Sequence, residues 1–394
     1  MAVSLVRGGA RWLGGAGSRL LAAPAVSIRS QVAGIKGKSL QDKDYKRPTP
    51  FPYKKDTYGY LASFIDWTTH RFDENTKVVV VDGPIAAGKA KFAKELAEDL
   101  DMLYVPATNM DLIYINPYGY DMRQLDPQLP DVCKSFDEKD FVRNPSHPNA
   151  PKFQFDMFKL KLSQYIDALT HVLSTGQGVV MDRSVYSDFV YVEAMVKFGF
   201  MRPEARSVYY AAREETLPEL LRPHLVIYLD VPVDEVRRRV AARPEPHPSS
   251  PFHTPEVIAY MEYIYKQQYL KEISHHAELL VYDWSEMGDV EVVVEDIERL
   301  NLEDYDRYDP KMEDWRITKE LEWANRRMMY SKNKGHILNL MNIPAYSVEE
   351  LVIPADEFKR FKDVWWNAPG MKYAVGFNED QGDQHIALKV KIGT

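Results

Sequence analysis

Cysteine is almost absent. A single residue of this type, Cys133, among 394 excludes an intrachain disulfide, a cysteine-built zinc site and an iron–sulfur cluster. Such sparing use is consistent with a reducing compartment. Long apolar runs are missing as well. No stretch of ~18 residues is apolar throughout, so no membrane span is expected. Positive charge is in deficit, 50 Lys and Arg against 58 Asp and Glu, and the net charge of −8 argues against broad nucleic-acid binding. No Gly-x-Gly-x-x-Gly follows a strand pattern, and no flavin or quinone signature stands out.

Acidic residues are missing from one segment altogether. None precedes Asp42, whereas Arg7, Arg11, Arg19, Arg29, Lys36 and Lys38 all fall there among Ala, Gly, Leu and Ser. That is the composition of a mitochondrial transit peptide, expected over residues 1–35; a disordered basic tail is the other reading. A cut near Gly34 would remove four arginines and make the remaining chain distinctly acidic. Residues 36–74 read as a polar, proline-bearing lead-in.

The whole chain is 45% hydrophobic and 27% charged, enough for an ordinary globular core without staples. Five short apolar runs, Val78–Val81, Met102–Val105, Val179–Met181, Leu225–Leu229 and Leu279–Tyr282, are rich in large or β-branched residues and lack strict alternation. Strands buried on both faces of a parallel sheet look like this. Helical spacing fills the gaps: Phe92, Leu96 and Leu100; then Phe155 to Leu173; Val192 to Gly199; Val233 to Ala242; Thr254 to Ser274. The expected class is α/β, a doubly wound parallel five-stranded sheet over residues 75–300, with a C-terminal extension at 301–394. Residues 106–150 show little periodicity.

The first run leads into Asp82-Gly83-Pro84-Ile85-Ala86-Ala87-Gly88-Lys89-Ala90, a complete Gly-x-x-x-x-Gly-Lys. Glycines allow the tight turn that aims successive N–H groups at phosphate oxygens. The helix opening near Gly88 adds its positive end, and Lys89 reaches the terminal phosphates. The phosphate-cradle residues are therefore Gly83, Ala86, Ala87, Gly88, Lys89 and Ala90. Ala90 stands where a nucleotide-handling loop carries a Ser or Thr hydroxyl for magnesium, so metal placement is weakened and no metal site is expected there, although Asp82 and Asp182 could hold a metal through water. The third run ends in Asp182-Arg183-Ser184. A strand end suits a ligand site, and either Asp182 or Ser184 also suits the cap of a helix through Tyr186–Lys197. Gln154, between Phe153 and Phe155, could read a nucleobase edge, though an aromatic stripe at helical spacing is more often core.

In this order the P-loop, Phe153-Gln154-Phe155, Asp182-Arg183-Ser184 and the arginine-rich helix Arg237–Arg243 resemble the deoxynucleoside kinase family. The resemblance implies a P-loop kinase fold, ATP or ADP or a deoxynucleotide as ligand, and Gln154, Asp182 and Arg183 as nucleoside-site candidates. It also implies lid arginines at Arg239 and Arg243 and an adenine-side segment at Asp283 and Trp284. Two departures count against catalysis: Ala90, and Val105-Pro106-Ala107-Thr108, where Ala107 replaces the glutamate that acts as the family's general base. A run of prolines, Pro244–Pro251, follows the lid arginines and favours a stiff extended segment. The leader, the altered loop and the long extension resemble the kinase-like accessory branch found in mitochondrial respiratory complex I. That implies a non-enzymatic subunit on the matrix side of the inner membrane, with other complex I subunits as partners and the extension as interface. Trp365-Trp366 suit that interface; packing back onto the chain's own sheet is the alternative. An active mitochondrial deoxynucleoside kinase is the competing expectation.

Overall fold

The computed structural model describes residues 34–42, 44–243, 249–302, 305 and 308–384. The expected leader lies outside these except for Gly34 and Ile35, and so do residues 244–248 of the proline run.

The five apolar runs form five parallel strands: β1 Val78–Asp82, β2 Leu103–Val105, β3 Val179–Asp182, β4 Leu225–Asp230 and β5 Glu278–Asp283, in the order β2-β3-β1-β4-β5. Alternate side chains feed two separate cores. Val78, Val80, Val179, Met181, Val226 and Tyr228 face one layer, and Val79, Val81, Val180, Leu225, Ile227 and Leu229 face the other. On the central strands β3, β1 and β4 both faces are dry, which is why those runs are continuous and do not alternate; the edge strands β2 and β5 are only partly buried.

Helices cover both layers. Against the second core pack α2 Lys89–Asp99, α8 Val233–Ala241 and α11 Val290–Glu298. The first holds α5 Ala150–Thr175, α6 Phe189–Lys197, α7 Pro203–Thr216 and α9 Pro255–Ile264. The expected helix over Thr254 to Ser274 is in fact α9, a π-helical turn Tyr265–Tyr269 and α10 Leu270–Ser274. The unforeseen α7 buries only Ala205, Tyr209, Ala212 and Thr216, a face too small and polar to read as an apolar stripe.

Residues 106–150 fold into short pieces, α3 Asp111–Tyr114, 3₁₀ turns at Met122–Gln128 and Asp131–Cys133, and α4 Glu138–Arg143. Asp137 and Asp140 close a reciprocal capping box on α4.

The extension folds back on the chain: Lys311 Nζ pairs with Glu278 of β5 at 2.8 Å, and Trp323 and Tyr330 join the first core. Its helix α14 Ala355–Trp366 lies on the two 3₁₀ turns, where Phe361, Val364, Trp365 and Ala368 meet Met122, Leu125, Leu129 and Cys133. Trp365 is therefore engaged within the molecule, and Trp366 lies beneath Lys362 at 4.2 Å. Short helix α13 Lys334–Asn339 and helix α12 Glu320–Ser331 run along α5. From α12 the fully buried Arg327 donates to Asp66 Oδ2 at 2.7 Å and stacks over the Tyr58 ring at 3.7 Å. Asp66 also holds Arg71. This ties the lead-in, including the six-residue α1 Tyr60–Ile65, to the extension. Both guanidinium groups hold the Asp66 carboxyl below its ordinary range despite its burial.

Replacing Arg327 with methionine strips Asp66 of one cation and leaves Arg71 as its remaining ion-pair partner. The expected loss is about 3 kcal/mol of unfolding free energy, the lower end for breaking a buried pair. It should appear as a lower urea midpoint followed by tryptophan fluorescence.

Candidate functional site

The β1–α2 loop is built by two glycines that nothing else could replace. A Cβ at Gly83 would sit 2.6 Å from the Leu229 carbonyl, and Gly88 caps α2 at φ 86° in the left-handed region. Ala86 adopts φ 58° without that freedom. The parallel register sets Val81 beside Asp182 and Asp82 beside Tyr228, so both aspartates end their strands under the loop. Each has one buried oxygen without a partner, Oδ2 of Asp82 and Oδ1 of Asp182.

Lys89 is buried, and its ammonium donates to the carbonyls of Gly83 at 3.2 Å and Pro84 at 2.6 Å. Burial, with Arg183 and Arg243 adding repulsion, pulls its pKa down to about 7 against the pull of Asp182 and Asp82. Burial lifts the Asp182 carboxyl above the ordinary range, although Lys89 and Arg183 draw it back. Beneath them lie Tyr228, Tyr265 and Tyr269. Their hydroxyls have no partner, and burial and Asp82 hold them strongly neutral.

A cavity of about 580 Å³ opens above the strand ends. Ala86, Ala87, Gly88, Lys89, Ala90 and Arg243 form one end, and Gln154, Asp182 and Arg183 line it as well. Its other wall is largely apolar, from Phe141, Val142, Phe153, Met157 and Phe252. The loop, Gln154, Asp182, Arg183 and Arg243 are thus brought together. Asp283 and Trp284 do not line it. Arg239 touches the loop itself: its guanidinium donates to the carbonyls of Ala87 at 3.5 Å, Trp284 at 2.8 Å and Ser285 at 2.7 Å, fastening the loop and the end of β5 to α8. Trp284 is buried edge-on against Phe92, and Asp283 accepts from Ser285 in a turn. Of the two expected caps it is Ser184 that serves, on a 3₁₀ turn Val185–Ser187 ahead of α6: its Oγ accepts from Tyr186 N at 3.3 Å.

Four lining or bordering residues escaped the sequence reading. Fully buried Asp188 accepts from Gln154 Nε2 at 2.9 Å, Lys161 Nζ at 2.5 Å and Tyr209 Oη at 2.7 Å. Lys161, two turns beyond Gln154 on α5, was detectable by that spacing; Asp188 resembled a helix cap. Tyr191 lies under two cations, Lys161 at 5.2 Å and Arg183 at 5.1 Å. Glu138, from α4, accepts from Met110 N at 2.8 Å, and burial raises its carboxyl. The site therefore offers a phosphate cradle, an apolar slot and a polar end of Gln154, Asp188 and Lys161, the parts a nucleotide or nucleoside needs.

Ala90 supplies no hydroxyl for a magnesium ion. The unpartnered oxygens of Asp82 and Asp182 would be its protein-side holders, through water, since that ion is usually bound by one or two carboxylates together with waters and substrate phosphates. Ala107 also lines the cavity and presents only a methyl to it.

With Lys89 near 7, about nine in ten ligand-free molecules carry it neutral at pH 8. The ligand-free fold should gain stability as pH rises from about 7 toward the ordinary lysine value, because the unfolded chain holds a proton the native one has released. Binding ATP should draw in close to one proton at pH 8. Calorimetry in buffers of different ionisation heat measures this, and Lys89→Met should abolish the uptake.

Comparison with known proteins yields a consistent picture. A deoxynucleoside kinase family model matches residues 79–316. Rat NADH dehydrogenase (ubiquinone) 1 alpha subcomplex subunit 10, mitochondrial, is 39% identical over 335 residues, covering 84% of this chain and 90% of that protein. Its bovine counterpart is 36% identical over 335 residues, covering 84% and 93%. Deoxyguanosine kinase of Dictyostelium discoideum is 25% identical over 263 residues, covering 66% and 81%.

Proposed function

We propose a function on the premise that this chain belongs to the deoxynucleoside kinase family and, within it, to the branch of the mitochondrial NADH dehydrogenase (ubiquinone) 1 alpha subcomplex subunit 10 proteins. The chain is an accessory subunit of mitochondrial complex I that supports its assembly or stability and holds a nucleotide without transferring its phosphate. It acts in the matrix, peripheral to the inner membrane, after residues 1–35 are removed. No described helix is long and apolar enough to cross a membrane.

The observation that carries the non-catalytic reading is the pairing of a complete cradle with two methyl groups. Gly83 to Lys89, Arg243 and the Gln154–Asp188–Lys161 set line or border one cavity, whereas Ala90 and Ala107 offer neither metal ligand nor base. Phosphoryl transfer relies on a metal bridging the β and γ phosphates, and a general base contributes typically ~10²–10⁴ in rate. Binding survives the loss of both; transfer at a useful rate does not. Bound nucleotide then stabilises the fold by mass action, roughly 2.7 kcal/mol at a hundredfold excess over its dissociation constant.

The gathering of Lys89, Asp182, Arg183 and Gln154 favours a second reading, an active kinase acting on a nucleoside 5′-hydroxyl. Two measurements separate them. On native gels of solubilised mitochondria the chain is expected at the mass of complex I; finding it solely as a free monomer would sink the subunit reading. Purified chain should show a thermal shift with ATP, ADP or a deoxynucleotide that Lys89→Ala removes. It should show no radiolabel transfer from ATP to any deoxynucleoside; turnover lost on Lys89→Ala would reverse the ranking.

A further inference from the structure

Helix α1 is built inside out. None of its six residues is buried. The small Ala62 is the one that packs inward, toward Tyr58, Ala324 and Met328. Its large side chains face solvent: Tyr60 is 70% exposed, Leu61 84%, Phe64 79% and Ile65 89%. Trp67 follows at 59%. Leu321, at 65%, is brought alongside by the neighbouring Glu320, whose carboxylate accepts from the backbone of Thr68 and from Thr69 N at 3.3 Å and Oγ1 at 2.7 Å.

Taking ~150–250 Å² for a complete aromatic side chain, these six residues present on the order of 800 Å² of apolar surface. The largest patch on a typical monomer is ~300–600 Å², whereas each partner of a stable interface contributes about 800 Å². The geometry is fixed, since Arg327 and Arg71 hold Asp66 at the helix end. Charges flanking the patch in the chain are of both signs: Lys54, Lys55, Asp56, His70, and Lys319 paired with Glu322 at 3.2 Å. An apolar centre with a mixed polar rim is the anatomy of a protein interface. An anionic bilayer would call for a basic rim, and the chain is acidic overall, at −8.

We propose that the outward face of α1, with Trp67 and Leu321, docks this chain onto an apolar surface of a neighbouring protein subunit in its assembly. The proposal rests on the accessory-subunit reading and moves the contact away from Trp365, which the insertion formed by residues 106–150 already covers.

The test uses the full chain, wild type or Phe64→Glu/Ile65→Glu, expressed in cells lacking the native copy. Neither residue contributes to the core, so thermal midpoint and nucleotide-induced shift should match wild type. The share of chain migrating with complex I on native gels should fall about tenfold or more. Undiminished co-migration of the variant overturns the proposal. So does a wild-type chain that, purified, floats with phosphatidylcholine–cardiolipin vesicles or self-associates on sedimentation while the variant does neither. If wild type and variant alike run only at low mass, the subunit reading itself has failed, and this proposal falls with it.

Discussion

The parallel register of β1 between β3 and β4 is the constraint on which the site depends. Once Val81 pairs with Asp182 and Asp82 with Tyr228, two carboxylates must end side by side beneath the glycine loop. Arg183 N then donates to the Val81 carbonyl at 2.9 Å, which fixes where the third strand turns away and aims Arg183 across the cavity. A one-residue slip would send every strand side chain to the wrong core. The two dry faces of the sheet thus enforce the register, and the register enforces the site.

Within that frame the loop satisfies itself. Lys89 donates to Gly83 and Pro84, carbonyls of its own turn, so the loop's own lysine is not an exposed cation waiting for an anion. Burial opposes the charge and the neighbouring carboxylates only partly restore it. An arriving phosphate supplies the missing counter-charge. The arrangement favours recognition that is switched on by the ligand, and it needs neither Ala90 nor Ala107 to be anything but a methyl.

Much of this was legible in the sequence. Strands buried on both faces leave unbroken apolar runs, and all five were found within a residue or two of their true ends. The loop was found because glycine is required where Gly83 meets Leu229 and Gly88 turns left-handed. The polar set of Gln154, Asp188 and Lys161 was only half legible. Gln154 stood out between aromatics, but Asp188 acts through a contact thirty-four residues away in the chain, which no local pattern encodes. Arg239, Asp283 and Trp284 were assigned by family resemblance; here Arg239 ties the loop carbonyl of Ala87 to those of Trp284 and Ser285, Trp284 packs on Phe92, and Asp283 closes an exposed turn. The insertion and the extension were opaque for a common reason. Each is stabilised by the other, through Met122, Leu125 and Leu129 against Phe361 and Trp365, so neither carries a complete amphipathic signal alone.

That mutual dependence also explains what is left uncovered. The extension uses α14 to bury the insertion and α12 to bury the lead-in, and Arg327 is sealed so completely that its Nη2 has no partner. A chain with this much intramolecular use for its aromatic residues has no need to leave Tyr60, Phe64 and Trp67 in water. A six-residue helix is too short to be stable by its own backbone bonds. It persists because Asp66 is clamped at its end and Ala62 fills the narrow seat beneath it. The clamp holds the helix with its large residues outward, where turning it by half would have buried them. Geometry that is enforced by a buried ion pair, and that exposes what folding alone would hide, belongs to a surface shaped by something outside the chain.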